Sequence, residues 1–288
     1  MSNVSIASSA RSQKSDDGYM SDGVVPTKTD LKSVFSIKSI IQTSSIAQIY
    51  KGTLRSNENF EVIIKRSLRS RCLSKEIQYM ERAHRICPEH CLPVIYKSSC
   101  KKYVNFAIPK FGVSLYDFMV NRRKVLNLEE AKIIFKQVFA CLKKLVDHNL
   151  YHLDVKEENI LVDPETLQVK IIDFGCSSET PIFNKQLVGS KEFCSPEVYT
   201  GESNFKNISK HDVWSLGVTI ISSMTGNTPY ESMDGLLHGD EEFRIRSGHN
   251  ADVVFTRELK FLLSCMLEIN YEERISFDSL GKTAFFRS

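Results

Sequence analysis

HLDVKEENILVD occupies residues 152–163, and IIDFG follows at 171–175. Within this stretch Asp154 can accept a proton from a hydroxyl, and Lys156 can neutralise a phosphoryl oxygen. Asn159 and Asp173 can hold a divalent cation between them through oxygen. The order is that of a segment with Asp, Lys and Asn at these intervals, followed by a β-strand that ends at Asp-Phe-Gly. Residue types and spacing together suit a site that moves a phosphoryl group, where positioning and charge stabilisation do most of the work. A purely structural origin would need several separate polar caps to fall in register by accident.

Upstream, the runs SVFSIKSII, AQIYKGTL and FEVIIK alternate between apolar and polar residues and predict three antiparallel strands. LSKEIQYMERAHR follows with Leu73, Ile77 and Met80 at helical spacing, and VIYKSS and YVNFAI predict two more strands. In VIIK (62–65), Ile63 and Lys65 share one face and Val62 and Ile64 the other. Lys65 could reach phosphates if a carboxylate held it, and Glu76 on the next helix is placed to do so. Taken alone, such a pair is an ordinary surface lysine and glutamate.

Beyond Gly112 the pattern is helical. EEAKIIFKQVFACLKKLVDHN sets Ile134, Val138, Leu142 and Leu145 on one face, with Glu129 and Glu130 favouring its N-terminus. SKHDVWSLGVTIISSMTG predicts a buried helix and TRELKFLLSCML another. The expected fold class is α+β and two-lobed: a small five-stranded antiparallel β lobe with one helix, then a larger, mainly helical lobe. Residues 1–30 are expected to be a disordered tail, the small lobe to span about 31–109 and the large one about 110–288. A hinge near residues 109–112 would set the 152–163 loop at the seam.

These motifs resemble the catalytic and magnesium loops of the eukaryotic-type protein kinases of the serine/threonine class, over about residues 35–288. The resemblance implies ATP and Mg²⁺, and protein substrates bearing serine or threonine. It makes Asp154 the base or hydroxyl-orienting group, Lys156 its partner, Asn159 and Asp173 the metal ligands, and Lys65–Glu76 the phosphate-positioning ion pair. It also matches Ser190 to the residue that contacts the catalytic Asp and Lys, Glu197 of SPE (195–197) to a partner of Arg274, and Asp212 to the brace of the catalytic loop. A helix-capping or salt-bridge role fits these four equally well. A scaffold that keeps the fold without transferring phosphate is the alternative, and a small-molecule phosphotransferase comes third.

Three positions depart from the family. Where the phosphate-covering loop has glycines, this chain has Gln42, Ser44 and Ala47, although Ile49, Tyr50 and Gly52 align, so the loop is expected to be stiffer or farther from phosphate. Ile63 replaces an alanine and, with Ile49 and Leu161, would narrow the adenine slot. Leu153 replaces the arginine that anchors a phosphorylated activation loop, so phosphorylation of residues 176–194 is not expected to be the switch. Glu158 matches a position that contacts arginine upstream of the target hydroxyl, but Ser222 stands where a second acid would, so the basic preference is weak. Cys176 is read as an ordinary small residue. The compact length and altered loop resemble kinases carried by large DNA viruses.

The bulk properties agree with a globular protein. Hydrophobic residues make up 42% and charged residues 25%, enough for a sizeable core. A net charge of +3, with its cations dispersed, argues against nucleic acid as the main partner. No apolar run approaches membrane-spanning length. Cysteines 72, 87, 91, 100, 141, 176, 194 and 265 have no framework spacing, which points to reduced thiols inside a cell, in cytoplasm or nucleus (of the host, if viral). His84, Cys87, His90 and Cys91 fit no common zinc module and read as the end of a helix and the start of a loop. DDGYMS at 16–21 resembles a short phosphodegron but is read as a solvated acidic turn.

Overall fold

In the computed structural model, which describes residues 4–5, 31–68, 71–181, 189–201, 205, 207–230, 233–238 and 255–287, the chain divides into two compact units. One comprises the residues up to His84 together with Leu92–Lys110, the other Arg85–Cys91 together with the chain from Phe111. Apart from Val4 and Ser5, the expected tail and its DDGYMS segment lie outside the described residues.

The first unit is an antiparallel sheet with the order β1-β5-β6-β4-β3-β2. Its strands are β1 (Val4–Ser5), β2 (Phe35–Thr43), β3 (Ala47–Leu54), β4 (Asn57–Leu68), β5 (Tyr96–Ser99) and β6 (Tyr103–Pro109). Five are those expected from the alternating runs; the two-residue β1 adds to the edge at β5. The period of two decides what each face does. Val62 and Ile64 are fully buried with Leu31, Phe35, Tyr96 and Ala107, whereas Ile63 and Lys65 alternate to the other face and stay half-buried. Burying each large apolar side chain stabilises the sheet by roughly 1.5–3 kcal/mol. The short helix α1 (Leu31–Val34) adds Leu31 to that core, and α2 (Arg71–Ile86) follows β4.

The second unit is mainly helical. Its small sheet β7 (Val113–Ser114), β8 (Ile160–Val162) and β9 (Val169–Ile171) is antiparallel in that order. Among its helices are α3 (Leu115–Arg122), α4 (Leu128–Asp147), α5 (Pro196–Tyr199) and α6 (Ser209–Thr225). Then come α7 (Met233–His238), α8 (Arg257–Met266) and α9 (Phe277–Leu280). Helix α4 begins with a reciprocal cap: Asn127 accepts from the Glu130 amide, and Glu130 reaches back to the Asn127 amide. Its stripe of Ile134, Val138, Leu142 and Leu145 is buried. Helix α6 is buried on every side from His211 to Thr225, so it forms the spine of this unit. Cys91 and Cys141 are both buried, with their sulfurs 3.6 Å apart.

Candidate functional site

Residues 152–159 run from the end of α4 into β8, and α6 holds them. The buried Asp212 accepts hydrogen bonds from the amides of His152 (2.9 Å) and Leu153 (2.8 Å). Those bonds fix Leu153 at φ 64°, a left-handed conformation that costs a leucine on the order of 1–2 kcal/mol. Farther along α6, Thr219 Oγ1 shares its proton between the Ser215 carbonyl at 2.7 Å and the Val155 carbonyl at 3.1 Å. Ser222 and Ser223 donate to Glu157 Oε1, the second at 3.3 Å. Burial pushes the Glu157 carboxyl up to about 7, against the lowering effect of the serine hydroxyls.

Asp154 is oriented from three directions. Its Oδ1 accepts from the Ser190 amide at 2.9 Å, and its Oδ2 accepts from Asn159 Nδ2 at 2.9 Å and lies 3.3 Å from Lys156 Nζ. Lys156 Nζ also donates to Ser190 Oγ at 2.6 Å. The Asn159 amide group donates a second time, to the Asp154 carbonyl at 2.8 Å, which leaves its amide oxygen as the atom for a cation. The Asn159 carbonyl accepts from the Ile172 amide at 3.0 Å, tying this turn to the residue before Asp173. Asp173 sits at φ 62°, and its Oδ1 accepts from the Gly175 amide at 3.2 Å. The His152 ring accepts from the Asp154 amide and donates to the Ile172 carbonyl, with its edge against Phe174. One amide oxygen and one carboxylate fit Mg²⁺, which keeps several positions for water and phosphate rather than a full protein cage.

The segment from Gly189 to Glu197 docks on the same loop. Gly189 adopts φ 80°, and a Cβ there would lie 2.5 Å from the Leu153 carbonyl oxygen, so only glycine can deliver Ser190 to Asp154. The Ser195 amide donates to His211 Nδ1 at 3.3 Å and the Ser195 hydroxyl oxygen lies 2.9 Å from the same nitrogen, while His211 also bonds the Leu153 backbone. Burial lowers the pKa of this ring. Glu197 forms a two-pronged pair with Arg274 at 2.7 and 2.8 Å, both side chains being buried. Burial alone would raise the Glu197 carboxyl, but Arg274 outweighs it and holds the group below its ordinary value. Leu153 packs with Tyr151, Cys194, Val198, Phe205 and Ile208, so an apolar side chain occupies the place of the expected arginine.

In the first unit, Lys65 Nζ lies 2.7 Å from Glu76 Oε1, with Glu76 buried and Lys65 half-buried. The turn between β2 and β3 closes without glycine. The Ser44 amide donates to the Ala47 carbonyl at 2.8 Å, and Ser44 Oγ accepts from the Ala47 amide at 3.0 Å. No residue from Gln42 to Ala47 has positive φ. Gln42 pairs across the hairpin with Ile49, and Ile49 with Lys65 on β4. Ile63 is half-buried between Lys51 and Ile108. Leu161 belongs to the second unit, half-buried on β8 between Ser114 and Lys170.

Glu158 is exposed, and the hydroxyl of Ser222 is committed to Glu157. Cys176 is half-buried, and burial, aided by the Asp154 charge, raises its thiol pKa, which disfavours the reactive thiolate. The sequence reading overlooked Glu157, His211 and Gly189. Only Gly189, directly before Ser190, carried a local signal.

The model of the protein kinase domain family matches residues 35–286. The chain is similar to the serine/threonine-protein kinase PSK2 of Saccharomyces cerevisiae, 30% identical over 209 residues that cover 66% of this chain and 18% of that protein. It is similar to the carbon catabolite-derepressing protein kinase of Candida tropicalis, 28% identical over 238 residues, covering 80% of this chain and 36% of that one. It is also similar to the human serine/threonine-protein kinase ULK1, 24% identical over 280 residues, covering 90% and 26%. The chain thus spans between 18% and 36% of the length of these relatives.

Proposed function

The chain belongs to the protein kinase domain family, and from that premise we propose that it is an active serine/threonine kinase that moves the γ-phosphoryl group of ATP to a protein hydroxyl. The observation that carries this reading is the threefold orientation of Asp154 by Ser190, Asn159 and Lys156. In the reaction the substrate hydroxyl oxygen bonds to the γ-phosphorus while the bond to the departing ADP breaks. The hydroxyl proton passes to Asp154, whose free rotation is removed by its three donors. Lys156 supplies positive charge beside the developing negative charge, and Lys65, held by Glu76, supplies it at the nucleotide phosphates. Asn159 and Asp173 would hold Mg²⁺, which neutralises phosphate charge when bound.

The exposed Glu158 supports a preference for arginine upstream of the target hydroxyl, which a peptide library would reveal as enrichment of that residue. An intracellular location fits the lack of any disulfide among the described cysteines. The glycine-free hairpin fits the large-DNA-virus type of kinase.

The test is transfer from labelled ATP with Mg²⁺ to a mixed basic substrate, beside an Asp154→Asn variant. Transfer by the native protein that disappears in the variant supports the reading. Absence from both, with each protein folded and Mn²⁺ and varied substrates also tried, favours the scaffold alternative.

A further inference from the structure

Glu157 is a charged residue type in a place where, among the described residues, no cation pairs with it. It opens the 3-10 turn Glu157–Asn159, its side chain is buried, and among the described residues it forms no ion pair. The only donors that reach its carboxyl from α6 are Ser222 and Ser223, both buried. On the same turn, two residues on, Asn159 gives both amide hydrogens to Asp154, which leaves its amide oxygen as the atom that would hold a cation. The turn is short, and its amide bond from Asn159 to the Lys156 carbonyl closes it at 3.0 Å. Glu157 and Asn159 are thus the two ends of one three-residue turn, so the clamp on the first and the aim of the second share the same backbone. Thr219 fixes the chain at Val155, before the turn, and Glu157 fixes it from within.

We propose that Glu157 is a positioning residue for phosphoryl transfer: clamped by Ser222 and Ser223, it sets the turn that aims Asn159 at the cation and at Asp154. The inference rests on the kinase reading. It needs an oxygen acceptor at this position and not a negative charge, because hydroxyl donors serve an amide oxygen as well. Removing a group that orients a metal ligand costs on the order of tenfold or more in metal affinity or activity.

The experiment compares Glu157→Ala, Glu157→Gln and the Ser222→Ala/Ser223→Ala double variant with the native protein, each checked for folding by thermal melting. Calorimetry measures the affinity for a non-hydrolysable ATP analogue with Mg²⁺ and again in chelator. Glu157→Ala is expected to lose about tenfold of the Mg²⁺-dependent gain in affinity while its affinity in chelator is unchanged. Its kcat falls with little change in the KM for peptide, Glu157→Gln stays near native, and the double variant repeats the loss. Adding Glu157→Ala to the double variant lowers activity no further, as expected for residues acting as one unit. The inference is overturned if Glu157→Ala keeps the native metal-dependent gain, or if Glu157→Gln loses as much as Glu157→Ala. Should Glu157→Ala not fold, the double variant and Glu157→Gln carry the same comparison. A native protein that transfers no phosphate yet shows the metal pattern would refute the kinase reading and confine the role of Glu157 to positioning Asn159 for the cation.

Discussion

The stretch His152–Asn159, which holds the proposed catalytic residues, and the hairpin turn Gln42–Ala47 are held by opposite means. In the first, a buried helix reaches out with Asp212, Thr219, Ser222 and Ser223 to bind backbone or side chain at residues 152, 153, 155 and 157. In the second, one exposed serine closes the turn with its own neighbours, and Ile40, Ile41 and Ile46 are exposed. Buried hydrogen bonds are costly to leave unmade, whereas exposed ones exchange with water. The contrast explains why the hairpin can lose all three glycines while the loop keeps Asp154, Lys156 and Asn159. The loop can even hold a leucine at positive φ, because neighbouring groups over-determine its backbone.

The comparison breaks if the buried network proves dispensable. The largest effect is expected at Arg274, whose guanidinium pairs with Glu197 and also donates to the carbonyls of Glu268 and Lys210. Arg274→Met should destabilise the fold by about 3–5 kcal/mol, because it leaves Glu197 charged and buried without its partner. Urea denaturation measures this, and an unchanged midpoint would remove the network's claim to importance.

Leu153→Ala comes next. It empties part of the cluster formed with Cys194, Val198, Phe205 and Ile208, at a cost of about 2–4 kcal/mol. Since Leu153 gives this segment an apolar footing, phosphatase treatment of the native protein should leave transfer activity unchanged. Loss of activity on that treatment, repeated by Ser177→Ala, Ser178→Ala and Thr180→Ala, would show that this segment carries an activating phosphate after all.

How much of this was legible in the sequence follows from the range of each interaction. The alternation of Val62–Lys65 and the stripe Ile134–Val138–Leu142–Leu145 are local periods, and they foretold which side chains are buried. The residues placed around Asp154 were legible because their spacing is a motif. The bonds His211–Ser195 and Glu157–Ser222 were not, since they join positions 16 and 65 residues apart. Helix α6 hid them further. It is buried on every side, so no hydrophobic period tells which of its hydroxyls turns toward the loop. The left-handed φ of Leu153 was equally silent, because such a conformation usually announces itself by glycine or asparagine.

A smaller, pH-dependent effect should come from His211. Burial lowers its pKa below the ordinary 6.5, with Asp212 and Glu197 pulling the other way and Arg274 reinforcing burial. The unfolded chain therefore binds this proton more readily than the folded one. The stability contribution is complete above pH 6.5 and is lost as pH falls from there toward the lowered value. Denaturation midpoints measured from pH 7.5 downward, an interval set by the ordinary histidine range of about 6.5, should decline in the native protein and be flatter in His211→Asn. Parallel slopes would assign the acid sensitivity to other groups.

The smallest effect belongs to the hairpin, and it sharpens the comparison most. Ser44→Ala removes the side-chain bonds to Ala47 and Ile46 but keeps the backbone bond from Ser44 to the Ala47 carbonyl. Each exposed bond contributes at most about 0.5–1 kcal/mol, and the loss is local to the turn. The melting temperature should not move, since global unfolding does not depend on a turn that opens on its own. The KM for ATP should rise about two- to fivefold at constant kcat, the range that such an energy allows. A drop in kcat as deep as that from Glu157→Ala would mean that the serine turn orients the transferred phosphate as firmly as α6 orients the catalytic loop. The division between a rigid loop and a tolerant hairpin would then be wrong, and the missing glycines would mark a second rigid element and not a permissive one.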